Sequence, residues 1–132
     1  MLIERVKAAW GVDVVQGWGM TETSPMCVLS HPPRDTGQDE QTRWRAKSGR
    51  PVPGMHVRIV DDRDRPLPED GKTTGHLQLK GPWVSCGYHR EDRQTSPLTA
   101  DGWLRTGDVG QIDGFGFFQV TDRAKEIGRA HV

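Results

Sequence analysis

The sequence predicts an α+β fold rich in β structure: the end of an α/β sheet subdomain, followed by a small antiparallel, barrel-like β subdomain. Three observations favour this class. An amphipathic segment, a glycine, a short apolar run and a glycine-rich loop follow one another over residues 2–23. Apolar and polar residues alternate in two segments between residues 55 and 81, and two further β runs flank the Asp-Gly dipeptide at 113–114. We therefore expect an α/β unit over residues 1–47 and a β unit over residues 48–122.

The first residues predict an amphipathic helix and then a strand. Leu2, Val6 and Ala9 recur at helical spacing. Gly11 comes directly after this segment and is well placed to end the helix. The largely apolar run over residues 12–16 predicts a short strand. The glycine-rich residues that follow would lie at the carboxyl end of this strand, where open α/β sheets bind their ligands.

The next segment, residues 24–47, lacks a regular hydrophobic pattern. Two adjacent prolines make residues 30–37 unable to hold a helix. Residues 38–47 are polar apart from Trp44 and Ala46. We therefore expect irregular structure first, and then a polar helix or an excursion of the chain over the surface.

The β unit is predicted from alternating apolar residues. Met55, Val57 and Ile59 would share one face of a strand. Leu77 and Leu79 would do the same on the next strand, after a polar turn rich in proline.

Three further β segments complete the prediction for this unit. Residues 83–88 form a candidate short strand. Residues 108–112 and 115–120 are the expected arms of a hairpin across the Asp-Gly dipeptide, a common hairpin turn sequence.

Charge and cysteine content exclude several classes of function. The 18 basic and 18 acidic residues cancel, which leaves no electrostatic footprint for nucleic acid and no polybasic membrane patch. Residues 2–10 are too short and too charged to span a membrane, so we expect a cytoplasmic protein without a transmembrane segment. Cys27 and Cys86 have no metal-binding spacing, and we expect two buried thiols rather than a disulfide or a zinc site.

The glycine-rich loop carries the first candidate chemistry. Gly17 and Gly19 flank the large aromatic Trp18, and Thr21 and Glu22 follow side by side. Such a loop can bring backbone close to a flat ligand, stack a ring on it, and offer oxygens to a metal or a phosphate. An ordinary turn is the alternative explanation for this stretch taken by itself.

Three blocks in a fixed order carry a family resemblance. They are Trp-Gly-Met-Thr-Glu at 18–22, Gly-Trp-Leu-Arg-Thr-Gly-Asp at 102–108 and Asp-Arg-Ala-Lys at 122–125. Together they resemble the adenylate-forming enzymes, which include acyl-CoA synthetases, luciferases and the adenylation domains of peptide synthetases. Connecting phrases such as Gly-Pro-Trp-Val at 81–84 make the resemblance closest to fatty-acid–CoA ligases. It covers residues 14–125.

The resemblance implies two half-reactions that use ATP, Mg²⁺ and coenzyme A. A fatty-acid carboxylate attacks the α-phosphate of ATP and gives acyl-AMP, and the thiol of coenzyme A then displaces AMP. The loop would bind the nucleotide through Gly17, Trp18, Gly19, Met20 and Thr21. By this resemblance Trp18 lies against the adenine, and Thr21 and Glu22 are catalytic, with Thr21 on phosphate oxygens and Glu22 on the metal. The alternatives are that Trp18 is a core aromatic and that Thr21 and Glu22 form a helix-capping pair.

The second and third blocks would complete the nucleotide site. Asp108 is implied to accept both ribose hydroxyls, and Arg123 to reach the ribose or the phosphates. Lys125 occupies the position of the family's hinge, where the C-terminal domain swings between the half-reactions. A turn aspartate, an exposed salt bridge and a solvated lysine are the respective alternatives.

Comparison with the family pattern also predicts that this chain is a fragment of the large N-terminal domain. The phosphate-binding loop that precedes Trp18 in the family and the late catalytic lysine have no counterpart in this sequence. We therefore expect little activity from the chain by itself, and the missing N- and C-terminal parts of the enzyme as its partners. Residues 123–126 would begin the hinge. Residues 127–132 resemble translated sequencing adapter and are expected to be a non-native tail.

Two other functions stay open at this stage. The chain would fit another adenylating enzyme, such as an aryl-CoA ligase or an amino-acid adenylation domain. It would also fit a non-catalytic β module that binds a partner protein through exposed aromatics, of which Trp83, Tyr88 and Trp103 are the candidates.

Overall fold

The computed structural model describes residues 1–87 and 96–123, which form two antiparallel sheets and two helices. Neither of these described helices has the length and hydropathy that crossing a bilayer requires. In chain order the elements are helix α1 (Leu2–Trp10), strand β1 (Gly17–Gly19), a 3-10 turn (Thr21–Thr23), β2 (Met26–Leu29), α2 (Gln38–Arg45), β3 (Arg50–Pro51), β4 (His56–Val60), β5 (Gly75–Lys80), β6 (Leu104–Ile112) and β7 (Phe118–Arg123).

Helix α1 forms as predicted and ends at Gly11. This glycine adopts a left-handed conformation with φ 64°, and its N–H donates to the carbonyl of Lys7 at 2.9 Å. No residue of the helix is buried, and Trp10 at its end is 74% exposed. The strand predicted over residues 12–16 is wrong, since β1 begins only at Gly17. An apolar run becomes a strand when another strand pairs with it, and in the described part of the chain no strand is paired with residues 12–16, although the carbonyl of Gln16 accepts the N–H of Ser30 at 2.8 Å.

The first sheet has the order β1-β2-β3, and all of its pairs are antiparallel. Strand β2 corrects the prediction of irregular structure after residue 24. Its residues Cys27 and Val28 are fully buried, and Val28 lies opposite Trp18 of β1. Helix α2 confirms the polar helix, and its one buried residue, Trp44, packs against the ring of Phe117 at 4.8 Å between centroids.

The second sheet has the order β4-β5-β6-β7, again with antiparallel pairs only. Burial of Ile59, Leu77 and Leu79 confirms the predicted faces of β4 and β5. The hairpin is also confirmed, although β6 begins at Leu104 and β7 at Phe118, so its arms differ from those predicted.

The loop of this hairpin is longer than a two-residue turn. The carboxylate of Asp113 accepts the N–H groups of Phe115 and Phe117 at 2.9 and 3.1 Å, and so keeps residues 113–117 out of the strands. The short strand predicted over residues 83–88 is wrong for residues 83–87, which form a turn and irregular backbone, and Tyr88 lies outside the described residues.

Phe118 joins the two sheets. Its backbone exchanges hydrogen bonds with Gly49, which precedes β3, and its fully buried ring lies edge-on to Trp18 with 5.3 Å between centroids. Buried apolar residues of both sheets form one core cluster around it, which comprises Cys27, Val28, Met55, Ile59, Leu77, Leu79, Leu104, Ile112 and Phe118. The glycine-rich loop is therefore fixed on the same core as the second sheet.

The two cysteines differ in environment, so the prediction of two buried thiols is wrong for Cys86. Both are free, Cys27 is fully buried, and Cys86 is exposed. Burial raises the pKa of the Cys27 thiol to about 11. Because the thiolate is the nucleophile, we expect iodoacetamide to alkylate Cys86 of the folded chain and to leave Cys27 unmodified. Peptide mass spectrometry measures this, with a urea-unfolded sample as the control in which both thiols react. Equal labelling of both thiols in the folded chain would contradict the burial of Cys27.

Candidate functional site

Packing within the chain restricts the two glycines of the loop to different degrees. A Cβ atom at Gly19 would lie 1.7 Å from the carbonyl oxygen of Pro25, and one at Gly17 would lie 2.7 Å from the sulfur of Met26. The contact at Gly19 is with backbone that cannot move aside, so β1 can pair closely with β2 there only because this position carries no side chain, whereas at Gly17 the flexible Met26 side chain would have to shift. This close pairing fixes the direction of the backbone on either side of Trp18.

Trp18 itself is half-buried on β1. Its edge-on contact with Phe118 belongs to the core, while part of the side chain stays accessible. The core role that was the alternative for Trp18 is therefore present, and it leaves room for a second contact by the same ring. Stacking on adenine stays a prediction.

Thr21 and Glu22 lie in the 3-10 turn, and the next residue holds that turn in place. The buried hydroxyl of Thr23 accepts the N–H of Met20 at 3.0 Å and donates to the carbonyl of Pro25 at 2.7 Å. Thr23 thus caps the N–H at the start of this turn. Thr21 is exposed and Glu22 half-buried, so the turn presents both side chains together at its surface.

The donor set of this turn fits Mg²⁺. A magnesium ion is typically held by one or two carboxylates together with substrate phosphates and waters, rather than by a complete cage of protein ligands. Glu22 supplies one carboxylate, and Thr21 supplies a neighbouring hydroxyl. Within the described residues no cluster of three or more histidine, cysteine or acidic side chains is placed to hold a metal. A site completed by phosphates is the kind that this turn can form.

A segment distant in sequence supports the same turn, and no sequence motif predicted this contact. The N–H of Ser85 donates to the carbonyl of Glu22 at 2.7 Å. The ring N–H of Trp83 donates to the carbonyl of Met26 at 3.1 Å, and the hydroxyl of Ser24 donates to the carbonyl of Trp83 at 3.2 Å. These bonds tie the turn to residues 81–87, about sixty positions later, so the backbone around Glu22 is held from two sides.

Asp108 lies inside β6 and is only 5% exposed, so the alternative of a turn aspartate is wrong. Arg123, the last residue of β7, is paired directly opposite Asp108 in the β6–β7 register. The pairing with β5 is interrupted at the same place, since three residues of β6, Thr106 to Asp108, face the single residue Leu77. Asp108 is thus the last residue of a β-bulge, a feature that turns a side chain away from its regular direction.

The structure brings the predicted site residues together in two groups. Thr21 and Glu22 lie together in the turn after β1, and Asp108 and Arg123 lie opposite each other in the second sheet. Phe118 connects the groups, because it contacts Trp18 and begins the strand that ends at Arg123. Lys125 and its predicted hinge role lie outside the described residues.

Comparisons with known proteins agree on one family. The family model described as "AMP-binding enzyme" matches residues 1–89. A long-chain-fatty-acid–CoA ligase of Thermus thermophilus is 43% identical over 122 residues, which cover 89% of this chain and 22% of the ligase. The ATP-bound structure of MatB from Rhodopseudomonas palustris has a TM-score of 0.75 at 32% identity, and the match covers 93% of this chain and 23% of MatB.

An aryl-acid enzyme has a similar structure. The anthranilate CoA ligase AuaEII, solved in complex with anthranoyl-AMP, has a TM-score of 0.73 at 27% identity, and the match covers 93% of this chain and 22% of AuaEII. This chain therefore spans less than a quarter of the length of each of these three proteins.

Proposed function

This chain belongs to the AMP-binding enzyme family, and on that premise we propose that it forms the nucleotide-binding part of an ATP-dependent fatty-acid–CoA ligase. The substrates of the whole reaction are ATP, a fatty acid and coenzyme A. Because the chain spans 22% of the length of the Thermus thermophilus ligase, we assign to its residues the nucleotide and metal contacts only, and little turnover by themselves. A cytoplasmic location stays a prediction from the sequence.

The observation that carries this proposal is the placement of Asp108 in a bulge directly opposite Arg123. A carboxylate accepts hydrogen bonds and has two oxygens, so it can bind both hydroxyls of one ribose. An arginine on the neighbouring strand would supply positive charge next to the phosphate side of the same nucleotide.

Each remaining residue then has a distinct task. Trp18 stacks on the adenine, the hydroxyl of Thr21 donates to a phosphate oxygen, and Glu22 holds Mg²⁺ against the phosphates. When bound, the metal neutralises negative charge on the phosphoryl oxygens. The fatty-acid carboxylate attacks the α-phosphorus, and the bond to pyrophosphate breaks. The coenzyme A thiol then attacks the acyl carbonyl, and AMP leaves.

The similarity to AuaEII supports a second candidate, an aryl-CoA ligase with the same nucleotide contacts. The fatty-acid assignment is favoured by the higher identity to the Thermus thermophilus ligase. Two contacts argue against a non-catalytic binding module. Trp83 donates its ring N–H to Met26 although the residue is 37% exposed, and the guanidinium of Arg58 lies over the Trp103 ring at 4.1 Å, so part of each aromatic is already in contact within the chain.

Titration of the chain with AMP tests the proposal through Trp18. We expect Trp18→Leu, which keeps an apolar contact with Phe118 but removes the aromatic face, to weaken AMP binding about 5- to 150-fold. This range corresponds to about 1–3 kcal/mol for one base stacked on an aromatic ring. Isothermal titration calorimetry gives the dissociation constants.

Trp10→Leu is the matched control, because Trp10 is exposed at the end of α1, a helix without buried residues. AMP affinity equal to that of the unmodified chain is expected for this variant. The proposal fails if the unmodified chain does not bind AMP, or if Trp18→Leu and Trp10→Leu bind it equally well while circular dichroism shows both to be folded.

A further inference from the structure

The bulge that carries Asp108 places three residues of one strand opposite a single residue of its neighbour. Gln78 pairs with Arg105 and His76 with Val109, so three residues of β6 are accommodated opposite Leu77. The middle one, Gly107, has φ +80°, and an added Cβ there would meet nothing within 4 Å. The glycine is therefore required by the backbone conformation and not by lack of space.

The hydroxyl of Thr106 closes this bulge. It accepts the N–H of Asp108 at 3.1 Å and donates to the carbonyl of Leu77 at 2.9 Å. The first bond spans the flexible Gly107, and the second attaches the bulge to β5. A hydroxyl can accept and donate at once, which the isosteric side chain of valine cannot do.

We propose that Thr106 is the positioning residue that fixes Asp108 for two-point binding of the ribose hydroxyls, which rests on the nucleotide-binding function proposed above. Asp108 is almost fully buried, so its carboxylate direction follows from the position of its own backbone. Thr106 holds that backbone at the amide. A carboxylate held in one orientation loses less freedom when it accepts both hydroxyls of one ribose, and we expect the adenine and phosphate contacts not to depend on that orientation.

The experiment compares AMP with 2′,3′-dideoxy-AMP, which lacks both ribose hydroxyls. The quantity measured is the ratio of their dissociation constants for the full chain. We expect Thr106→Val to lower the preference for AMP about 10-fold, the size of one hydrogen bond to a charged group, and to leave binding of the dideoxy nucleotide within about twofold. Thr106→Ser keeps the hydroxyl and should retain the preference of the unmodified chain.

The ratio of the two dissociation constants distinguishes positioning of Asp108 by Thr106 from a general loss of structure. Loss of structure around β6 would weaken both nucleotides equally and leave the ratio unchanged, which would overturn the inference. If Thr106→Val does not fold, as judged by circular dichroism, Thr106→Ala replaces it with the same expected ratio.

Asp108→Ala separates this inference from the function on which it rests. The proposed function fails if the unmodified chain binds AMP and 2′,3′-dideoxy-AMP equally tightly. It also fails if Asp108→Ala keeps the preference of the unmodified chain for AMP. If Asp108→Ala abolishes the preference for AMP and both Thr106→Val and Thr106→Ala keep it, the nucleotide site stands and the role of Thr106 alone is refuted.

Discussion

Replacing Phe118 with alanine is expected to lower the free energy of unfolding by about 3–5 kcal/mol, the usual cost of removing a buried phenylalanine side chain. The ring is fully buried in the core shared by both sheets. It also lies edge-on to Trp18 at 5.3 Å, and such a pair contributes about 0.5–1.5 kcal/mol beyond area burial. Domains of this kind are stable by about 5–15 kcal/mol in total, so this change removes a large part of that stability.

Urea unfolding followed by circular dichroism measures the effect. Phe115→Ala is the matched control, since Phe115 is the same residue type in the preceding loop and is 62% exposed. It touches Trp44 edge-on at 5.2 Å, so we expect a loss of about 1 kcal/mol or less. Equal destabilisation by the two substitutions would show that Phe118 is not the junction between the sheets.

Asp108→Ala is expected to weaken AMP binding by about 10²- to 10⁴-fold. The reason is the loss of two hydrogen bonds from ribose hydroxyls to a charged group, each worth about 1.5–3 kcal/mol, where about 1.4 kcal/mol is a factor of ten. The carboxylate is buried, so water competes poorly for it in the free chain. Calorimetric titration with AMP measures the change, and circular dichroism establishes that the variant is folded.

Asp62→Ala is the control for this second substitution. The side chain of Asp62 is 95% exposed and pairs with His76 at the surface, a contact of little energetic value. We expect AMP affinity within about twofold of the unmodified chain. A folded Asp108→Ala variant that binds AMP as tightly as Asp62→Ala would remove Asp108 from the site.

The parts of the fold that were predicted correctly are those determined by residues close together in the sequence. Gly11 ends α1 because glycine adopts the left-handed conformation without strain. Leu77 and Leu79 share one face because side chains alternate along a strand. Strand β2 was missed because its residues show no alternation, and only pairing with β1 and β3 makes them a strand. The strand predicted over residues 12–16 is wrong for the opposite reason, since this strand-like run is not paired with a strand among the described residues.

The same distinction applies to the candidate site. Residues whose side chains would touch a ligand stand in contiguous motifs, so Thr21, Glu22 and Asp108 could be proposed from the sequence. Thr23 and Thr106 act on backbone groups and were missed. Their short side chains, each close to a turn or a glycine, are the signal that could have identified them. Contacts of Ser85 and Trp83 with the turn depend on tertiary structure and have no local signal.

If the nucleotide binds as proposed, the junction between Gly49 and Phe118 couples nucleotide affinity to the conformational stability of the chain. The nucleotide contacts that we propose are divided between residues in and after β1 and residues of the second sheet, and this junction joins the two sheets. The apparent dissociation constant therefore equals the intrinsic one divided by the fraction of molecules in which the sheets are docked. Conversely, a nucleotide at a hundred times its dissociation constant would stabilise the docked state by about 2.7 kcal/mol, so a ligand spanning both sheets would act as a crosslink between them.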